Sequence, residues 1–147
     1  MATNNVTGFG FVLSIIASVT FPVGFPVTSA SDDTDSVDFP SVKFGDAVMG
    51  VNGDAIIWSR ATMIPMTISV IPGSPDDLNL QALAKANRVF QGQNGANDVI
   101  TATLLYPDKS LASLTQGTMT DAQFGKAIGS NGRLKTHTYQ FMFGGVN

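Results

Sequence analysis

Residues 64–91 carry the strongest combination of structural signals in this sequence. Apolar and polar side chains alternate over Ile64–Ile71, which predicts a β-strand with one buried face. Pro72-Gly73 predicts a turn. Ser74–Asp77 predicts a helix start, because Ser caps free amides, Pro suits the first helical position and acidic residues complement the first turn. We therefore expect one strand followed by one amphipathic helix over 75–91. Its apolar residues at helical spacing are Leu78, Ala82, Leu83, Ala86, Val89 and Phe90.

Short alternating segments separated by turn residues fill the rest of the chain and predict further strands. The Asn52-Gly53 pair between two such segments predicts a hairpin with a two-residue type I′ turn. The additional strands expected are Phe9–Phe21, Asp46–Val51, Asp54–Arg60, Val99–Tyr106, Leu111–Thr120 and Arg133–Phe143. The predicted fold is mainly β (α+β): a β-barrel or sandwich of two antiparallel sheets with one flanking α-helix.

The chain length predicts a single domain over 1–147, with two long irregular segments. Residues 1–8 are polar and predict an N-terminal arm. Pro22 and Pro26 are expected to stop the first strand and to open a long loop over 22–44. A loop of this length in a small domain is usually functional or disordered. Because apolar residues are scattered through it, we expect it to become ordered against another subunit.

Charged residues make up only 13% of the sequence, about half of the usual fraction in soluble proteins. Such a chain presents much neutral surface, which favours a subunit that buries part of this surface against copies of itself. The formal net charge of −3 argues against a basic patch that binds nucleic acid. The absence of Cys excludes disulfides and Cys-ligated zinc.

The apolar run over 9–21 has no Lys or Arg before it and is interrupted by Ser and Thr. We therefore expect neither a signal sequence nor a membrane span, and the default location is the cytoplasm of the producing cell.

Catalytic and cofactor motifs are absent from the sequence. His137 is the only histidine, and no Ser lies in a Gly-x-Ser-x-Gly elbow, so we interpret His137 as a surface or interface residue. Phosphate-binding glycine loops are also absent, and we expect no enzymatic activity and no cofactor. The Asp cluster over 32–38 suggests calcium, but it lacks the Gly and the final Glu of an EF-hand loop, so we expect no metal site.

The residues expected to contact other subunits lie mainly in the long loop. Two more candidates come from the strands: Phe11 in the first apolar strand, and the only Trp, a residue type found more often in cores and interfaces than in ligand platforms. The full set of contact candidates is Val27, Asp32, Asp33, Asp35, Val37, Phe39, Val42, Phe11 and Trp58.

The order of these segments resembles the tail tube proteins of long-tailed bacteriophages, and most nearly the small tube subunits of contractile-tailed phages. The resemblance rests on Ile68–Ile71 running into Ser74–Leu78 and the helix, and on the C-terminal stretch Gly129–Phe141. It covers most of the chain in layout. The same fold occurs in type VI secretion and pyocin tubes, so the resemblance does not distinguish a phage from these particles.

The resemblance implies a structural virion protein that forms hexameric rings by joining sheets edge to edge. Stacked rings would form the tail tube, the conduit for genome delivery, with the arm and the loop over 22–44 in ring-to-ring contacts. The implied partners are further copies and the sheath, tape measure, baseplate hub and tail terminator proteins, in a virion tail assembled in the host bacterial cytoplasm. DNA would pass without specific binding, which a net acidic chain suits. The alternative is a β-sandwich recognition module that binds carbohydrate or peptide through Trp58.

Overall fold

The computed structural model of the protein describes residues 6–30 and 35–147, which form nine strands and one helix. In chain order the elements are β1 (Val12–Ala17), β2 (Phe21–Val27), β3 (Val37–Asp38), β4 (Gly45–Met49), β5 (Ala55–Ser59), β6 (Ile64–Val70), α1 (Pro75–Asn87), β7 (Ile100–Leu105), β8 (Leu111–Asp121) and β9 (His137–Val146). Seven strands form one antiparallel sheet, curled into a half-barrel, in the order β2-β1-β7-β8-β9-β6-β3. Strands β4 and β5 form a separate hairpin. The predicted mainly β fold with one helix is confirmed.

The core lies on one face of the large sheet, and the alternation along each strand explains it. Every second residue of β9 from His137 to Phe143 is buried, and the neighbouring strand β6 buries Met66, Ile68 and Val70. Met66 pairs with Phe141 across the two strands. The predicted buried face of β6 is therefore confirmed, because a period of two places these residues on one side of the sheet.

The single long strand expected over Phe9–Phe21 is wrong. Strand β1 ends at Ala17, the chain turns over 18–20, and β2 returns antiparallel to β1. Pro22 and Pro26 do not end a strand here, because β2 lies at the edge of the sheet, where a missing amide donor is tolerated. The predicted loop over 22–44 is thus shorter, since β2 and β3 occupy parts of it.

The β4–β5 hairpin was correctly predicted, but its turn type was not. Its loop has three residues, because the Gly50 amide donates to the Asp54 carbonyl at 2.7 Å and the Gly53 amide donates to the Gly50 carbonyl at 2.9 Å. Gly53 has a φ of 86°, the left-handed conformation that glycine adopts without a steric penalty. The loop between β7 and β8 repeats this arrangement, with Lys109 at a φ of 72° in the equivalent position.

Helix α1 begins as predicted and ends earlier than predicted. The Ser74 hydroxyl accepts from the Asp77 amide at 3.3 Å, and Pro75 occupies the first position. The helix ends at Asn87 rather than at residue 91, because the Asn87 side chain turns to bond the following segment. Its buried apolar face is formed by Leu80, Leu83 and Ala84, whereas Leu78, predicted to be inside, is 61% exposed. Over the described residues, no helix has the length and apolar character needed to cross a membrane.

Candidate interaction surface

The β4–β5 hairpin exposes apolar side chains on both of its faces. Successive strand residues point to opposite faces, yet Val48 and Met49 on β4 are 50% and 70% exposed, and Ile56 and Ile57 on β5 are 50% and 76% exposed. The rest of the subunit therefore covers neither face. A hairpin of two strands is at best marginally stable in water on its own. Exposed apolar surface of this kind is typical of a contact site.

Ion pairs hold the base of this hairpin. Asp46 Oδ1 lies 2.7 Å from Lys43 Nζ, and Asp46 Oδ2 lies 2.5 Å from Arg60 Nε. The Arg60 amide also donates to the Phe44 carbonyl at 2.8 Å. Trp58 pairs with Asp46 across the two strands and remains 46% exposed. The hairpin therefore presents its apolar residues and Trp58 from a fixed base, and contact through Trp58 stays a prediction.

Three of the predicted contact residues converge on one shallow groove. Phe11, Asp35 and Val37 line it together with Leu104 and Tyr106. Phe11 and Val37 are half-buried and pack against the core, whereas Asp35 is exposed at the groove. The structure thus places the start of β1 beside β3, a proximity that the sequence does not show.

The remaining loop candidates have different environments. Val27 is only 5% exposed, because it belongs to β2 and faces the core, so its prediction as a contact residue is wrong. Phe39 is 38% exposed and Val42 is half-buried. Asp32 and Asp33 lie outside the described residues.

A buried hydrogen-bond network joins the helix start to β9. Asp77 Oδ1 accepts from the Tyr139 hydroxyl and from His137 Nδ1, each at 2.7 Å, and Asp77 Oδ2 accepts from the Gly73 amide at 3.0 Å. Burial opposes the ionisation of Asp77, but these bonds outweigh it and lower the pKa of the carboxyl. The pKa of Tyr139 is raised, firstly because the hydroxyl is buried and secondly because it bonds the Asp77 carboxylate.

The prediction that His137 is a surface or interface residue is therefore wrong, because its ring is 2% exposed and bonded inside the core. Sequence reasoning missed this network although a signal was present. His137 alternates with Tyr139, Phe141 and Phe143, and a polar residue that shares a face with three aromatic residues is expected to be buried. A buried imidazole then needs a polar partner, which the acidic first turn of the helix provides.

Asp76 fixes the chain where it leaves β2. Its Oδ2 accepts from the Thr28 amide at 2.6 Å and from the Ser29 amide at 2.5 Å. The Ser29 carbonyl in turn accepts from the Ile71 amide at 3.1 Å. The segment after β2 is thus held between the helix start and the end of β6.

Asp98 fixes the other end of the helix. Its Oδ1 accepts from the Val19 and Thr20 amides at 2.7 and 2.9 Å, and its Oδ2 accepts from the Thr20 hydroxyl at 2.5 Å and from Asn87 Nδ2 at 2.8 Å. Burial opposes the ionisation of Asp98, but these donors outweigh it and lower its pKa. The three buried carboxylates therefore act as structural clamps. Over residues 6–30 and 35–147, no three His or Asp side chains converge as metal ligands would.

Comparison with known proteins agrees with this architecture. A family model described as tail fiber protein gp32 matches residues 4–147. None of the curated proteins compared with the chain matches its sequence.

Three similar solved structures come from contractile injection systems. The anti-feeding prophage tube-terminating cap is 13% identical with a TM-score of 0.56, and the match covers 100% of this chain and 92% of that chain. The sheath/tube terminator of the extracellular contractile injection system PVC is 12% identical with a TM-score of 0.58, and the match covers 100% of this chain and 98% of that chain. The anti-feeding prophage baseplate is 11% identical with a TM-score of 0.58, and the match covers 100% of this chain and 96% of that chain. At these identities the likeness establishes the fold. The resemblance to tail tube proteins seen in the sequence is confirmed. The chain belongs to the family described as tail fiber protein gp32, a structural phage tail family with a tail-tube-like fold.

Proposed function

We propose that the protein assembles with copies of itself into hexameric rings, which stack into the tail tube through which the genome is delivered. The observation that carries this proposal is the β4–β5 hairpin, whose apolar side chains are exposed on both faces. Covering such a hairpin with a second copy is favoured, because each Å² of apolar surface removed from water contributes about 25 cal/mol. The low charge of the chain supports the same conclusion, because interface cores are depleted of charge.

The edges of the large sheet support assembly into a ring. The two edge strands are β2 and β3, and β3 pairs only with Thr67 and Ile68 of β6. Among the described residues, Ile64–Met66 therefore has no strand partner on that side. A free strand edge is a template for pairing with another chain, and here Pro65 would only accept a hydrogen bond, because it has no amide to donate. Pairing of this edge with a neighbouring copy would extend the sheet around a ring.

In this role the protein contacts the sheath, tape measure, baseplate hub and tail terminator proteins, and DNA passes through the tube without specific binding. It acts in the virion tail after assembly in the host cytoplasm, and it has no enzymatic activity. Asp77 and His137 resemble two members of a Ser-His-Asp site, but the pair is buried and His137 Nε2 has no hydrogen-bond partner among the described residues. These features support a structural role for the only histidine.

Electron microscopy of the purified protein, with its mass in solution, tests the proposal. We expect rings with sixfold end views and hollow tubes. Ile57→Asn should weaken assembly, because it places an amide in the apolar contact, and it should leave the subunit folded because the side chain is exposed. Leu78→Asn on the helix is the matched control, since Leu78 is 61% exposed outside the hairpin. A wild-type protein that stays monomeric, or an Ile57→Asn variant that assembles like wild type, would contradict the proposal.

The partial exposure of Trp58 favours a second candidate function. A half-exposed indole on a sheet is a suitable platform for a sugar or an aromatic peptide side chain. This recognition module would be a monomer or dimer, and Trp58→Ala would abolish ligand binding. Quenching of Trp58 fluorescence by a ligand panel tests it, and quenching caused by self-association instead supports the tube subunit.

A further inference from the structure

A cationic and aromatic cleft lies at the end of α1. Its lining consists of Lys85, Arg88, Phe90, Gln93 and Phe124. The Arg88 guanidinium carbon lies 4.9 Å from the centre of the Phe90 ring and 5.6 Å from that of Phe124, and the rings are 47% and 49% exposed. The two rings hold the guanidinium in place by cation–π attraction. The cleft thus combines two cations and two apolar rings, and its lining contains no acidic residue.

Hydrogen bonds at the helix end keep this cleft in shape. Gln93 Nε2 donates to the Lys85 carbonyl at 2.8 Å and to the Arg88 carbonyl at 3.0 Å. Free carbonyls at a helix end repel anions, and Gln93 covers two of them. Neither cation has an ion-pair partner among the described residues. Asp121 lines the adjoining hollow beside Arg88, but it forms no ion pair with it. The cleft is therefore prepared for a carboxylate accompanied by an apolar side chain.

The stretch Asp35–Phe39 has this combination of side chains. Asp35 and Asp38 are exposed, and the neighbouring Phe39 is 38% exposed. Carboxylates form charge-assisted hydrogen bonds with guanidinium and ammonium groups, and a phenyl ring packs favourably against other rings. The pairing of Val37–Asp38 with β6 fixes the backbone of this stretch, so little ordering entropy is lost when it binds.

No residue of this stretch lines the cleft of its own chain. The register of the large sheet runs from Asp38 through Thr67 and Gln140 to Asp121, which lies in the hollow beside Arg88. Three strand spacings, about 14 Å, therefore separate Asp38 from that hollow. We propose that Asp35–Phe39 of one copy docks in the Lys85–Arg88 cleft of a second copy. The contact is head-to-tail, so it joins copies into a ring or a filament rather than a closed pair. This docking proposal rests on the proposed function, and it identifies the two surfaces through which neighbouring copies meet.

Charge exchange across the contact tests this docking. Asp38→Lys and Arg88→Glu each bring like charges together, and each should weaken self-association by about tenfold or more. The double variant restores opposite charges between positions 38 and 88, although Lys85 and Asp35 keep their original charges, and it should recover most of the association that either single variant loses. Sedimentation at several concentrations measures the association, which should also weaken as NaCl increases. The control is Lys126→Glu, an exposed cation outside the cleft, which should associate like wild type.

The outcomes separate this docking from the proposed function. If wild type assembles and both single variants match Lys126→Glu, the docking is overturned and the tube proposal stands. If the single variants fail to self-associate and the double variant does not regain self-association, the docking is also overturned. A wild-type protein that never self-associates overturns both. If Arg88→Glu has a lower urea midpoint, Lys85→Glu tests the same cleft without disturbing the stacked guanidinium.

Discussion

Removal of the Asp98 carboxylate should destabilise the protein strongly, because this group holds three parts of the chain together. It receives two backbone amides from the turn between β1 and β2, the Thr20 hydroxyl and the amide of Asn87 at the end of the helix. We expect Asp98→Ala to release the turn and the helix end from each other. Since Asp98 is 5% exposed, little water reaches the groups left behind.

The expected loss follows from the donors. A hydrogen bond to a charged group contributes about 1.5–3 kcal/mol to stability. The four bonds share one carboxylate and are not additive, and the Thr20 and Asn87 side chains are half-buried and can turn to water. We therefore count the two hydrogen bonds from backbone amides in full and give the two from side chains only a small contribution. The expected loss of unfolding free energy is then about 4 kcal/mol. This loss corresponds to about 8–16 °C in Tm for a domain of this size. It corresponds to about 2 M in the urea midpoint.

Urea unfolding followed by circular dichroism, at a concentration where the protein is monomeric, measures this loss. Asp108→Ala is the control, because Asp108 bonds the Ser110 amide and hydroxyl within one exposed turn and should leave the midpoint nearly unchanged. The interpretation of Asp98 as a clamp is refuted if its variant shifts the midpoint no more than the Asp108 variant does.

The effect of Asp98 should also depend on pH. The folded-state pKa of Asp98 is lowered, so its stabilisation is present in full above the unfolded pKa of about 3.9 and is lost as the pH falls through the lower folded value. The difference in unfolding free energy between wild type and Asp98→Ala should be constant from about pH 5 to 8 and should shrink below about pH 4. A difference that is independent of pH down to pH 2 would contradict a role for the charge.

Three further substitutions test individual features by thermal or urea unfolding. Gly117→Ala should lower the free energy of unfolding by about 1–3 kcal/mol, because a Cβ there overlaps the Phe143 ring. Its control is Gly125→Ala, whose Cβ meets open space, and equal stability of the two variants would contradict this packing. Lys109→Gly should raise stability by about 0.5 kcal/mol, because it relieves a left-handed conformation, and a decrease would contradict this. Tyr139→Phe removes a hydroxyl that bonds a buried carboxylate, so a loss of about 1–3 kcal/mol is expected, and no loss would contradict the bond.

Local patterns predicted the elements whose causes are local. Ser74 and Pro75 define the helix start through contacts within a few residues, and the alternation along β6 defines its buried face. The first strand was mispredicted because alternation continues through Ser18–Thr20, where the chain turns. That turn is held by Asp98, which is 79 residues from Val19 in sequence, and no local pattern records such a contact.

The contact surface could be predicted only in part, for a related reason. The Asn52-Gly53 pair predicts the β4–β5 hairpin, but it cannot show that the rest of the subunit leaves both faces of the hairpin open. The cation–π cleft depends on Phe124 approaching Arg88 from a different part of the chain. Residues that contact another copy follow no sequence period of their own, so contact candidates were chosen from the composition of the loop. This choice failed for Val27, because Val27 belongs to a strand and faces the core.

The three buried carboxylates also bear on the net charge of the chain. Three of the eleven acidic residues, Asp76, Asp77 and Asp98, are buried in hydrogen bonds. The remaining eight equal the Lys and Arg residues in number. The formal net charge of −3 therefore equals the charge of the three buried carboxylates. Burial opposes their ionisation, but hydrogen bonds lower the pKa of Asp77 and Asp98, so these groups stay ionised. A net charge of only −3 causes little electrostatic repulsion between copies. In the proposed assembly, contact between copies is then governed by the apolar hairpin and by the placement of opposite charges, such as Asp38 and Arg88, rather than by the total charge.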